Sequence, residues 1–73
     1  MQTLVQITER HISTYRAIRD YIYHNRKSPN VLIIGDLCGI HSDQEVIEVL
    51  TDLKQLGYLS FDNLKDKKIY LAN

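Results

Sequence analysis

The side chains best placed to do chemistry in this 73-residue chain lie between His41 and Tyr58, HSDQEVIEVLTDLKQLGY. Gln44, Glu48, Thr51 and Gln55 fall at helical spacing on one face, with Glu45 and Asp52 on its flanks. Amides, carboxylates and a hydroxyl in a row recognise a partner through hydrogen bonds. They do not break bonds, because no nucleophile with a base and an orienting third group stands among them. A glutamine amide donates and accepts at once and pairs bidentately with an adenine edge, and a carboxylate accepts from a cytosine amino group. The same acids repel phosphates and suit a basic protein surface equally well. A third and plainer role for such a face is solvation.

Other candidates are weaker. His11, His24 and His41 have no metal-ligand spacing, and the single cysteine, Cys38, sits in an apolar stretch, so no metal site, cofactor or disulfide is expected. A lone cysteine with histidines in so short a chain has no pocket to work in, and we expect no enzyme. Lys65, Lys67 and Lys68 cluster near the end, where they suit phosphate or simply keep a turn soluble. Ser28 and Asn30 stand where a helix begins; free amides there suit a phosphate oxygen, although capping is the commoner role.

The recognition face needs a scaffold, and Val46, Val49, Leu50 and Leu53 provide its buried side as one apolar stripe. Ahead of it, Thr8 caps a first helix running to about Asn25. Ile7 and Ile12 are spaced as a hydrophobic staple, and Ile12, Tyr15, Ile18 and Ile22 form its inward face. Arg16, Arg19 and Asp20 point away. Ser28, Pro29 and Asn30 stop that helix, and Asn30 starts a short second one, VLIIGDLC, with Val31, Ile34 and Cys38 inward and Gly39 turning the chain out. Gly35 lies inside it. A helical glycine is disfavoured by about 1 kcal/mol relative to alanine, so its presence points to a close crossing, with the third helix packed against it at a steep angle. Gly57 closes the third helix in a left-handed position. An extended segment from Tyr58 to Phe61, a turn over Asn63 to Lys67 and the alternation from Lys68 to Leu71 make a hairpin. Residues 1–6 are a frayed end or a short arm.

The whole is one α+β, mostly α domain over residues 1–73, a three-helix winged helix-turn-helix with a C-terminal β-hairpin wing. A chain this small is marginally stable alone, and Tyr21, Tyr23 and Ile47, which fall on no inward face, are candidates for self-association. No apolar run is long enough to span a membrane and the start has no signal-peptide pattern, so a cytoplasmic setting is expected, with no membrane partner.

Charge divides along the chain although nine cations balance nine acids. Residues 1–30 hold Arg10, Arg16, Arg19, Arg26 and Lys27 against Glu9 and Asp20. Residues 31–57 hold only Lys54 against Asp36, Asp43, Glu45, Glu48 and Asp52.

From Ile7 to Leu71 the chain resembles the N-terminal DNA-binding domain of LexA-type repressors. The match rests on Ile7-Thr8 with Arg10, on Ile18-Arg19-Asp20 followed by Ile22, on Pro29 ten residues before Gly39, and on ungapped spacing through Ser42 and Gly57 to Ile69 and Leu71. The resemblance implies that the helix beginning near Ser42 enters the major groove and that the wing lies along the backbone. It places Ser42, Gln44, Glu45 and Glu48 toward bases or phosphates, with Gln44 where the family carries asparagine, Glu45 in place of a small residue and Ile47 in place of an acidic one. Self-cleavage, a property of the family's C-terminal domain, is not expected here.

Two functions follow as expectations. The first is a repressor-like, sequence-specific transcription regulator that binds double-stranded DNA as a homodimer, with Ser42, Gln44, Glu45, Glu48, Thr51, Lys65, Lys67 and Lys68 in contact and Ser28 and Asn30 on phosphates. The second is a winged-helix interaction module, encoded by a phage or mobile element, that binds a basic host protein through the acidic third helix.

Overall fold

The computed structural model describes residues 6–61 and 69–71. Three helices, α1 (Glu9–Asn25), α2 (Val31–Cys38) and α3 (Asp43–Gln55), are followed by two short antiparallel strands, β1 (Leu59–Ser60) and β2 (Tyr70–Leu71). Leu59 pairs with Leu71 and Ser60 with Tyr70. The architecture is α+β and mostly α, each helix packing on the other two and β1 on α3.

Every helix starts on a side-chain cap that satisfies an otherwise orphaned amide. Asn30 Oδ1 accepts from Ile33 N at 2.8 Å. Ser42 Oγ accepts from Glu45 N at 3.4 Å. At α1 the cap is reciprocal: His11 N donates to Thr8 Oγ1, and Thr8 N donates back to His11 Nδ1 at 3.0 Å. A histidine here does the work usually given to glutamate or glutamine.

α1 ends at Asn25 as expected, but what ends it is not Pro29: Arg26 turns into the left-handed region at φ 58° and its N–H closes on Ile22 O at 2.8 Å. A side chain in that conformation costs about 1–2 kcal/mol against glycine, which has no Cβ to clash. Pro29 is instead fully buried. Gly39 and Gly57 take positive φ as expected. At Gly57 the last carbonyls of α3 are met in a double turn, Gly57 N to Lys54 O and Tyr58 N to Leu53 O, both at 3.0 Å.

The core is built on the α3 stripe. Val46, Val49, Leu50 and Leu53 are all buried, together with Ile18, Ile34, Ile40, Leu59, Phe61 and Ile69. Tyr15, Ile22, Val31, Cys38 and Leu71 pack around them, half-buried. Ile69 and Leu71 share the inward side of the hairpin while Tyr70 faces out, as the alternation predicts.

On α1 the expected inward face is displaced. Ile12 is 45 % exposed, and the fully or nearly buried positions are His11, Thr14 and Ile18. Ile12 sits about 100° around the helix from His11, where it joins Ile7 beside a shallow apolar cavity of about 150 Å³ with Tyr15, Leu53 and Tyr58. The two tyrosines meet there with ring centroids 5.5 Å apart and planes tilted by 56°, an edge-inclined geometry that aromatic quadrupoles favour.

Thr14 is a flaw in the core. Its side chain is fully buried and its hydroxyl has no hydrogen-bond partner among the described residues. Burying an unsatisfied hydroxyl costs about 1–3 kcal/mol, and valine has the same shape and a similar helix propensity. Thr14→Val is therefore expected to raise stability by about 1 kcal/mol, read as a higher urea midpoint at unchanged slope. A lower midpoint would show that the hydroxyl is satisfied.

Candidate recognition face and its supports

The exposed side of α3 carries what its periodicity predicts. Gln44, Glu48, Thr51 and Gln55 are all exposed, in one row opposite the buried stripe. The Thr51 hydroxyl donates to Ile47 O at 2.8 Å, which holds the side chain along the helix and leaves its oxygen free to accept. Ser42, half-buried, has its oxygen committed as the cap of α3. Asp43 is exposed in the first turn, where the helix dipole favours a carboxylate.

The flanking acids are tied to α1. Glu45 Oε2 lies 2.9 Å from Arg10 Nη1, and Asp52 Oδ2 lies 3.0 Å from His11 Nε2. Glu45 and Asp52 are seven residues apart, two helical turns, so they lie along the same edge of α3 with the buried Val49 between them. The adjacent Arg10 and His11 meet that edge from the first turn of α1. Neither Glu45 nor Glu48 pairs with Lys54; that lysine's Nζ donates to Phe61 O at 2.6 Å and stands over the Phe61 ring at 4.7 Å from its centroid. Lys54 thereby ties the end of α3 to the end of β1.

The His11 bond has a defined polarity. The backbone N–H of Thr8 can only donate, so Nδ1 must offer a lone pair and the proton resides on Nε2, directed at Asp52. One ring thus links the cap of α1 to α3. The ion pair of Arg10 with Glu45 is half exposed on both sides. It contributes little to stability, yet it cancels a negative charge at the entrance to the recognition face.

Neither link is visible in the local sequence. The signal was available: two acids two turns apart on α3, and an arginine and a histidine adjacent at the start of α1. Nothing local says that these edges meet.

The remaining candidate residues sort by position. Ser28 and Asn30, the candidate phosphate contacts, serve the fold. Asn30 caps α2, and Ser28 Oγ accepts from Ile69 N at 2.8 Å while donating to Pro29 O at 3.0 Å. Ser28 therefore fastens the hairpin to the α1–α2 connection. Lys65, Lys67, Lys68 and the Asn63 to Lys67 turn lie outside the described residues, as do residues 1–5 of the expected arm. Of the candidates for self-association, Tyr23 is exposed, and Tyr21 and Ile47 are half-buried.

Among the described residues no group of three His, Cys, Asp or Glu could hold a metal ion, and no helix is long and apolar enough to cross a membrane. Compared with known protein families, curated proteins and solved structures, the chain matches none.

Proposed function

We propose that this chain is a winged helix-turn-helix regulator of the LexA type in its DNA-binding part, which reads double-stranded DNA as a homodimer in the cytoplasm. In this reading α3 enters the major groove and the hairpin lies on the backbone. The observation that carries it is the exposed row of Gln44, Glu48 and Thr51 on a helix whose flanking acids are engaged by Arg10 and His11. An acidic reading helix is costly chiefly because its carboxylates repel phosphates. Pairing Glu45 with Arg10 reduces that repulsion.

Within the site Gln44 is the residue for bidentate contact with adenine, Glu48 accepts from a cytosine amino group, and Thr51 offers a hydroxyl oxygen. The resemblance over Ile7 to Leu71 supports the docking mode, and Lys65, Lys67 and Lys68 supply backbone contacts in it.

Selection from a random oligonucleotide pool, followed by fluorescence anisotropy on the enriched site, tests the proposal. Gln44→Ala is expected to reduce discrimination at one base pair by about 1–2 kcal/mol. Lys67→Ala is expected to weaken all sequences alike and to lower the salt slope by about one ion. Failure to enrich any sequence at low salt overturns the DNA reading.

Asp43 and Glu48 favour the second reading, an interaction module for a basic protein surface. Both are exposed, and neither has an ion-pair partner among the described residues. A stoichiometric protein captured from lysate after nuclease treatment, and lost with Glu48→Lys, would support it over DNA.

A further inference from the structure

The far end of α1 carries a different surface. An open groove of about 480 Å³ runs between the α1 C-terminus, residues 26–28 and β2. Ile22 and Leu71, both half-buried, line it with aliphatic surface; Arg26 and Lys27, both exposed, stand on its rim, and Tyr70 is 55 % exposed. Among the described residues no Asp or Glu lines it. The groove is thus apolar within and cationic at the edge.

Arg26 is the only described non-glycine residue with positive φ. It occupies a helix-ending position that glycine fills without strain, and it is one of the residues that line the groove. A strained backbone carrying a charged side chain is a reason to ask what that side chain meets.

The groove also runs beside a strand edge. Ile69 N–H donates to Ser28 Oγ, so at Ile69 the main chain points away from β1. Successive residues of a strand alternate direction, so Tyr70 addresses Ser60 of β1, while the N–H and C=O of Leu71 point outward with those of Ile69. β2 belongs to a two-stranded sheet, and this is its outer edge.

We infer that this groove binds an extended peptide segment in which acidic and aliphatic residues alternate, laid along the outer edge of β2. The main chain of the segment bonds to Leu71, in the manner of strand addition. Aliphatic side chains on one face settle against Ile22 and Leu71. Carboxylates on the other meet the rim that carries Arg26 and Lys27, a charge-assisted contact. A nucleic acid strand would use the two cations, but it has no match for the strand edge or for an aliphatic floor. This site is separate from the exposed face of α3 and does not rest on the DNA reading.

The test is a titration of the ¹⁵N-labelled full chain with a capped five-residue peptide alternating glutamate and valine. Saturable amide shifts are expected at Arg26, Lys27, Ile69, Tyr70 and Leu71, with a dissociation constant on the order of 0.1–1 mM, since so short a strand loses much of its contact energy to ordering. Arg26→Gly removes the charge and relieves the left-handed backbone, so the variant should melt no lower than the parent and bind about five- to tenfold more weakly. Lys27→Glu is the second variant, with a loss of the same order. A lysine–valine peptide should leave the same amides unmoved.

Absence of shifts at millimolar peptide overturns the proposal. So does binding that Arg26→Gly and Lys27→Glu leave intact, or shifts that map to α3. An oligothymidylate that moves the same amides at lower concentration than the peptide also overturns it, and assigns the groove to nucleic acid.

Discussion

Alanine at Gly35 is expected to destabilise the protein by about 2 kcal/mol, the upper end of the cost of overpacking a filled site less what the helix gains from alanine. A Cβ at this position would lie 2.8 Å from the carbonyl oxygen of Ile40 and 3.6 Å from Val46 Cγ2. The near contact decides the sign. Val46 could shift a methyl group, but Ile40 O belongs to the backbone of the turn between α2 and α3. That turn is fastened to α2 by Ile40 N, which donates to Gly35 O at 2.9 Å. The helix itself would gain about 1 kcal/mol from exchanging glycine for alanine. This gain is smaller than the strain, so the net effect is a loss. Urea denaturation followed by circular dichroism reads it as a lower midpoint, and an unchanged or raised midpoint would mean that the turn can move aside. Because the turn sets where α3 begins, the folded fraction of this variant is also expected to bind its partner more weakly.

His11→Ala is expected to cost about 2 kcal/mol, through loss of buried ring packing and of hydrogen bonds on both of its sides. The side chain is only 9 % exposed, and its partner Asp52 is 36 % exposed, so most of the loss comes from the ring and the Thr8 cap. His11→Gln separates the contributions. A glutamine at this position can still accept from Thr8 N–H in a capping box, and it should recover about half of the loss while leaving Asp52 unpaired. A double-mutant cycle with Asp52→Asn isolates the interhelical bond, with an expected coupling of about 1 kcal/mol. Equal stability of His11→Ala and the parent, within about 0.5 kcal/mol, would remove His11 as the link between α1 and α3.

These two sites show different degrees of legibility. Gly35 stands out in the sequence because a glycine inside an apolar helix is locally unfavourable, and the close approach follows. Its partner does not. α3 does meet it, through one methyl of Val46, but the nearer atom is the carbonyl of Ile40 in the turn before α3. Nothing in the sequence marks His11 as a bridge between helices or Thr14 as buried. Polar residues on a helix suggest solvent, and only the packing of α3 against α1 reveals that His11 is bridged and Thr14 enclosed. Ile12 fails for the converse reason. It fits the apolar pattern, yet it lies at the rim, because the contact face of α1 is centred on the line from His11 through Thr14 to Ile18.

By itself the sequence determined the features that depend on neighbours within one or two helical turns. Thr8, Asn30 and Ser42 cap helices because their oxygens reach amides three residues on. Gly39 and Gly57 end helices because they adopt positive φ freely. The α3 stripe is buried and its opposite row exposed because a helix repeats every 3.6 residues. Tertiary structure alone decided how the acids of α3 are compensated, how Ser28 is used and where a cationic groove forms. Arg10 and Glu45 are 35 positions apart, and His11 with Asp52 and Ser28 with Ile69 are each 41 apart. Contacts at such separations are set by how whole faces dock, and the docking depends on the summed burial of the core, which no local pattern encodes.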